Sequence, residues 1–178
     1  MRLIVIFFLL NACVHSYESP IKIKQKNTDS DFFIEVNKSL ITHEAKKIDS
    51  VLMGSNYVFS KTNTGLRIWI DSISSTINKT NPQDGNVVQL LYECVVLDNN
   101  QKILNNKLIE GYLTDTISFK LGFSKQMKGL NYAIKLLTVG DKAKIIIPSY
   151  LGFGMSGYGK QVEPYTTLLL NVELLNFK

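Results

Sequence analysis

Two cysteines, two histidines, four prolines and one tryptophan are all that the 178 residues contain of these types. So few thiols cannot make a disulfide framework. His15 and His43 are far apart and have no Cys or acidic cluster at metal-ligand spacing, and neither has the Ser and Asp setting of a catalytic triad. Hydrolase and metalloenzyme chemistry therefore has no residues to rest on, and neither a metal nor a cofactor is implied. Charge of one sign is not massed either. The 20 Lys and Arg outnumber the 15 Asp and Glu, for a net +5 and a pI near 9.1, but the bases are scattered. The single basic face that nucleic acid requires is not visible, so no nucleic-acid partner is expected. No apolar run reaches the roughly 20 residues of a transmembrane helix. What is present, 45% apolar residues, is enough for the core of one ordinary domain.

Residues 148–159 read PSYLGFGMSGYG, and Gly152, Gly154 and Gly157 fit the G-x-G-x-x-G spacing of a dinucleotide-binding loop. That loop works only where a helix begins on it and a second strand follows. Here KQVEP comes next, with no helical period and with Pro164, and then TTLLLNVELLNF reads as a strand. The glycines must serve a different turn.

The N-terminus has the layout of an export signal. Met1 and Arg2 precede an apolar run, Leu3 to Leu10, and then Leu10-Asn11-Ala12-Cys13. LNAC resembles a bacterial lipobox, in which the cysteine is lipidated and becomes the new N-terminus. Residues 1–12 are then a lipoprotein signal peptide, Cys13 carries a membrane anchor, and residues 13–31, polar and without period, form a tether. The other reading is a signal cut a few residues later, which leaves Cys13 without a role. Cys94, in an apolar strand, reads as a buried hydrophobe.

Between Phe32 and Leu52 the residues Phe33, Val36, Leu40, Ile41, Ala45, Ile48 and Leu52 recur at three and four positions, the stripe of an amphipathic helix. Asp29, Ser30 and Asp31 are candidate caps. Leu66, Ile68 and Ile70 alternate as in a strand, and residues 32–84 form an N-terminal extension of helix and strand. From residue 85 onward, VVQLLYECVVLD reads as a long strand, weaker strands are expected at Lys102–Leu108 and Thr116–Leu121, and two more at KAKIII and TLLLNVELLNF. Ser124 is a candidate cap for a helix carrying Met127, Leu130, Ile134 and Leu137, with Gly140 as its stop. The pattern is α+β, one short helix covering a sheet face.

The strings ISFKLG (117–122), MKGLNYAIKLLTVGDKAKIIIPSYLGFG (127–154) and TLLLNVELL, in this order, resemble the FKBP-type peptidyl-prolyl cis-trans isomerases. The resemblance implies a curved antiparallel sheet wrapped on one short helix over residues 85–178. With the lipobox, the helix SLITHEAKKIDSVL and the strand TGLRIWI, the whole chain is similar to the gliding-motility-associated FKBP-type lipoproteins of the bacterial envelope.

The resemblance also implies a pocket. Tyr92 and Phe153 stand at the catalytic positions, and Ile103, Leu104, Ile117, Met127, Leu130, Tyr158, Val162 and Leu170 at substrate-binding ones, with Gln126 beside Met127. Where active members carry an acidic residue, this chain has Leu104, unless Asn105, Asn106 or Glu110 takes that place; Leu130 replaces a tryptophan, Phe153 a tyrosine, and Ile117 and Leu170 two aromatics. All but the polar position would equally suit a plain hydrophobic core. The implied activity is isomerisation of X-Pro bonds in polypeptide clients at the membrane-anchored envelope, assisting the folding of exported or surface proteins. The alternative is an FKBP-fold binding module of an envelope machine.

Overall fold

In the computed structural model, residues 28–71, 80–97, 103–108 and 115–178 are described, with 28, 29, 103–108 and 115 as backbone only. Cys13 and the tether up to residue 27 lie outside the described residues.

Strand β3 (Val87–Leu97) organises the sheet. On one side it pairs with β7 (Leu168–Phe177); on the other it pairs with β5 (Asp115–Lys120) along its first half and β4 (Ile103–Leu108) along its second. Beyond β7 come β6 (Lys142–Ile147), β2 (Arg67–Asp71) and the two-residue β1 (Ser60–Lys61), giving a seven-stranded antiparallel sheet. The fold class expected from the sequence is the one observed.

Alternation decides which face each residue serves. Val88, Leu90, Tyr92 and Cys94 of β3, Ile145 and Ile147 of β6, and Leu168 and Leu170 of β7 all point inward, and α2 (Lys128–Ile134) lays Leu130, Ala133 and Ile134 on them. Each Leu or Ile so enclosed contributes about 1.5–3 kcal/mol. Cys94 is enclosed with them, as expected; burial, and secondarily the charge of Glu93, pushes its thiol up to about 12.

The short helix begins later and ends sooner than its apolar spacing indicated. Its N-cap is Met127, not Ser124, whose Oγ instead accepts the Gln126 N–H at 3.4 Å. Gly140, at φ 88°, lies past the helix in the turn before β6. The side chain that ties the helix start to its surroundings is Asn131, which caps no helical N–H. Its Oδ1 accepts the Gly122 N–H at 2.9 Å, and its Nδ2 donates to the Gln126 and Met127 carbonyls at 3.3 and 3.1 Å.

Helix α1 (Thr28–Leu52) starts ahead of Phe32, so Asp29, Ser30 and Asp31 form its first turn rather than precede it. It lies on the outer face of the sheet, where Ile48 packs with Val95, Ile146 and Leu169. The apolar stripe is used only in part: Ile48 is buried, with Val51 outside the expected stripe buried near it, Ala45 and Leu52 are half-buried, and Phe33, Val36, Leu40 and Ile41 are exposed. The helix is about 37 Å long, and among the described residues its core contacts with the sheet are made by Ile48, with Leu52 packed beside it. Arg67, buried on β2, fixes the docked half: its Nε donates to Asp49 Oδ1 at 2.8 Å.

Candidate functional site

Five elements converge at one end of the inner core. β3 contributes Tyr92, β5 contributes Ile117, the turn into α2 contributes Gln126 and Met127, α2 itself Leu130, and β7 Leu170. Register brings the strand residues together: Ile117 is opposite Leu90, and Leu170 is opposite Cys94, one inward position from Tyr92. The remaining side chains come from residues 149–167, which link β6 to β7.

That link starts as a 3-10 turn at Ser149–Leu151 and is stitched to itself. The Gly154 N–H donates to the Ser149 carbonyl at 2.8 Å, the Tyr165 N–H to the Gly154 carbonyl at 2.9 Å, and Tyr158 and Val162 exchange backbone hydrogen bonds of 2.9 and 3.1 Å. Gly157 makes this folding possible. Its φ is 62°, and a Cβ there would collide with the Val162 carbonyl oxygen. The G-x-G-x-x-G spacing thus builds a flap and no phosphate loop, since no helix starts on it.

The flap turns Phe153 onto the core cluster, and the Tyr158 ring lies 4.9 Å from it at 30° between planes. Val162 is buried alongside. Of the expected site residues, Tyr92, Ile117, Met127, Leu130, Phe153, Val162 and Leu170 therefore belong to one apolar cluster, with Tyr158 covering its edge. Their accessibility is unequal. Leu130 and Leu170 are 0% exposed and Tyr92 3%, which makes them the enclosed floor, while Tyr158 is 44% exposed and Ile117 and Phe153 are partly so. A ligand meets the rim first. Ile103 and Leu104 begin β4, but their side chains, and so the position of the polar group they were expected to flank, lie outside what is described. Asn105 and Asn106 share that limit, and Glu110 lies outside the described residues.

The site also contains a donor. Among the described residues, no acceptor pairs with the Met127 N–H, which stands just before α2 while the Met127 side chain is buried in the cluster. His43 is exposed on α1 and takes no part in the cluster, as expected.

A family profile described as FKBP-type peptidyl-prolyl cis-trans isomerase matches residues 78–175. The chain belongs to this FKBP family. FK506-binding protein 1 of Eremothecium gossypii is 33% identical over 106 residues, covering 60% of this chain and 89% of the relative. The peptidyl-prolyl cis-trans isomerase FKBP14 of Homo sapiens is 42% identical over 62 residues, which is 35% of this chain and only 29% of that protein's length. Among solved structures, FkpA from Escherichia coli aligns with a TM-score of 0.57 at 24% identity, covering 84% of this chain and 66% of its own. A peptidyl-prolyl isomerase from Pseudomonas syringae gives 0.60 at 17% identity, over 79% and 95%. At these identities the structures support the fold.

Two features of this FKBP domain escaped sequence reasoning. Asn131 lay unnoticed inside the helical pattern although its amide holds the Gln126–Met127 mouth of the site. Glu44 accepts hydrogen bonds from Ser149 and Thr167, at the two ends of the flap. A signal for it did exist: Glu44 is four and seven residues before Ile48 and Val51, and so a carboxylate on the docking stripe.

Proposed function

We propose that this chain is a peptidyl-prolyl cis-trans isomerase acting on proline-containing polypeptides. The observation carrying this reading is the convergence of Tyr92, Ile117, Met127, Leu130, Phe153 and Val162 in one apolar cluster at the flap. X-Pro rotation meets a barrier near 20 kcal/mol that comes from amide resonance, and no bond is made or broken. A catalyst has only to bind the twisted amide better than the planar one. Twisting costs the carbonyl its conjugation and part of its polarity, so a dry apolar wall favours the twisted form. Phe153, Ile117 and Tyr158 supply the wall for the prolyl ring, and the Met127 N–H holds a peptide carbonyl in place. Tyr92, Leu130 and Leu170 support them from below.

The signal-like N-terminus and the LNAC sequence support a finer reading: export, lipidation at Cys13, and a membrane-anchored station in the bacterial envelope, facing the periplasm or the surface, where the domain assists exported or surface proteins to fold, including those of a gliding apparatus. The aliphatic residues at 103, 104 and 130 and the missing hydroxyl at 153 favour a second reading, an FKBP-fold module that binds an envelope partner without turnover.

NMR exchange spectroscopy on a short X-Pro peptide separates the two. Acceleration by the wild-type domain, reduced about tenfold or more in Phe153→Ala and less in Tyr158→Ala, supports the isomerase. A folded wild-type domain that broadens the peptide's resonances on binding but leaves its exchange rate unchanged overturns it in favour of the binding module.

A further inference from the structure

Glu44 belongs to α1, outside the matched residues 78–175, yet its carboxylate ends on the flap. Oε1 accepts from the Ser149 N–H at 2.7 Å and from the Thr167 hydroxyl at 2.7 Å, while Oε2 accepts from the Ser149 hydroxyl at 2.9 Å. Ser149 is the first residue of the flap and Thr167 the last before β7. One carboxylate therefore ties both feet of the segment that carries Phe153, Tyr158 and Val162. Resting on the isomerase reading above, we propose that Glu44 is a positioning residue for the prolyl site: the N-terminal helix holds the flap over Met127 and Leu130 by its feet.

Neighbouring contacts make the same connection. Tyr150, one residue into the flap, donates its hydroxyl to the Thr64 carbonyl at 3.0 Å, so a second part of the extension grips the same foot. Gly65 leaves room for that ring, since a Cβ at 65 would strike the Tyr150 hydroxyl. Near the other foot, Tyr165 is held at φ 59°, a left-handed conformation that a residue with a ring adopts only when its surroundings impose it. The helix that presents Glu44 is itself fixed by Ile48 under it and by the Arg67–Asp49 pair. The Thr167 main chain is also held, its carbonyl accepting the Leu97 N–H at 3.0 Å, so the carboxylate acts on the Thr167 side chain and on the flap residues before it. A groove of about 480 Å³ runs between α1 and the second foot, lined by Leu40, His43, Glu44, Pro164, Tyr165 and Thr167. Released from the carboxylate, the flap residues leading into this foot, Pro164 and Tyr165 among them, have space to move into.

The clamp makes a prediction that loss of stability does not. Unclamped, the flap spends less time in the binding-competent position, and apparent affinity falls by that fraction. Once the peptide is bound, the flap is in place and the chemical step is unchanged. Glu44→Ala in the full chain therefore raises KM for an X-Pro peptide about three- to tenfold while kcat stays within about twofold. A purely structural defect does the reverse, lowering the active fraction and hence kcat at constant KM. Glu44→Gln is the rescue variant: its amide oxygen accepts from the Ser149 N–H and the Thr167 hydroxyl, and its NH2 can donate to the Ser149 hydroxyl. KM should return to near the wild-type value. If Glu44→Ala does not fold, Thr167→Val removes one foot's donor at constant size and is expected to raise KM in the same way.

Ring resonances of Phe153 and Tyr158 in the peptide-free protein give a readout independent of turnover. Broadened or shifted signals in Glu44→Ala, restored in Glu44→Gln, support the clamp even where the wild-type domain proves inactive, in which case the isomerase reading alone falls. An active wild type whose KM and ring resonances are both unchanged in Glu44→Ala overturns the clamp, as does a Glu44→Gln variant no better than Glu44→Ala.

Discussion

Gly129→Ala sets two effects of known size against each other. In a helix, replacing Gly by Ala ordinarily stabilises by up to about 1 kcal/mol, and Gly129 occupies the second position of α2. The site does not have room for the methyl group. A Cβ at 129 would stand 2.5 Å from Ile147 Cγ2, 3.0 Å from Cδ1 and 3.1 Å from Cγ1, whereas carbon atoms prefer about 3.5–4.0 Å. Ile147 cannot easily yield, because it is fully buried, β-branched and paired with Leu168 across the sheet. Such overpacking costs typically about 1–3 kcal/mol, and an approach as close as 2.5 Å belongs at the upper end, about 2–3 kcal/mol. Subtracting the propensity gain leaves a net loss of about 1–2 kcal/mol, or a Tm lower by about 2–8 °C for a chain of this size. Urea unfolding followed through Trp69, the chain's single tryptophan, measures it. The decisive comparison is a double-mutant cycle with Ile147→Ala, which deletes all three contacted atoms. In that background Gly129→Ala should change sign and stabilise, giving a coupling of about 2–3 kcal/mol. A Gly129→Ala protein as stable as wild type, or one equally destabilised in both backgrounds, would refute the reasoning.

Two further outcomes follow from the cysteines. The Cys94 thiol, raised to about 12 in the folded state against about 9 when exposed, binds its proton more tightly in the native protein. Its contribution to stability is therefore fully present below pH 9 and declines above it by about 1.4 kcal/mol per pH unit until about pH 12. Subtracting the profile of Cys94→Ala, measured by urea unfolding between pH 7 and 10.5, isolates this slope; parallel profiles would contradict it. For Cys13, substitution by Ser in an expressing bacterium should move the protein from the membrane fraction to the soluble one, and retention at the membrane would remove the lipid anchor from the functional reading.

Elements whose partners are near in sequence, or whose faces are set by a simple period, were legible. The strand β3 follows from the alternation of Val88, Leu90, Tyr92 and Cys94, and all four are buried as that alternation requires. The α1 stripe was legible as a pattern but not in its extent, because Phe33 and Ile48 look equivalent until the contacts of Ile48 with Val95, Ile146 and Leu169 are known. For α2 the apolar spacing ran on to Leu137, which is indeed buried, but in the turn beyond the helix. Burial and helicity share a period there and cannot be told apart from the residues alone. Contacts at long range were not legible. Glu44 meets Ser149 and Thr167 across 105 and 123 positions, and no local pattern links a helical glutamate to the ends of a distant loop.

The same distinction governs how the proposed prolyl site should behave. Its expected members were identified by position, and their gathering into one cluster follows from strand register and the glycine flap. Their unequal exposure does not follow from position, and it divides their roles. Leu130 and Leu170 are closed off, so truncating either removes packing beneath the site and costs about 2–5 kcal/mol of stability before it touches a ligand. Phe153 and Tyr158 stack at the open edge, where truncation alters contact with a ligand directly and leaves most of the core in place. With Tyr92 and aliphatic side chains below and two stacked rings above, the isomerase reading proposed above assigns discrimination between planar and twisted amide mainly to the flap and to the Met127 N–H. On that reading the orientation of the flap, whose ends are hydrogen-bonded to Glu44 of the N-terminal extension, matters more than the identity of the residues on the floor.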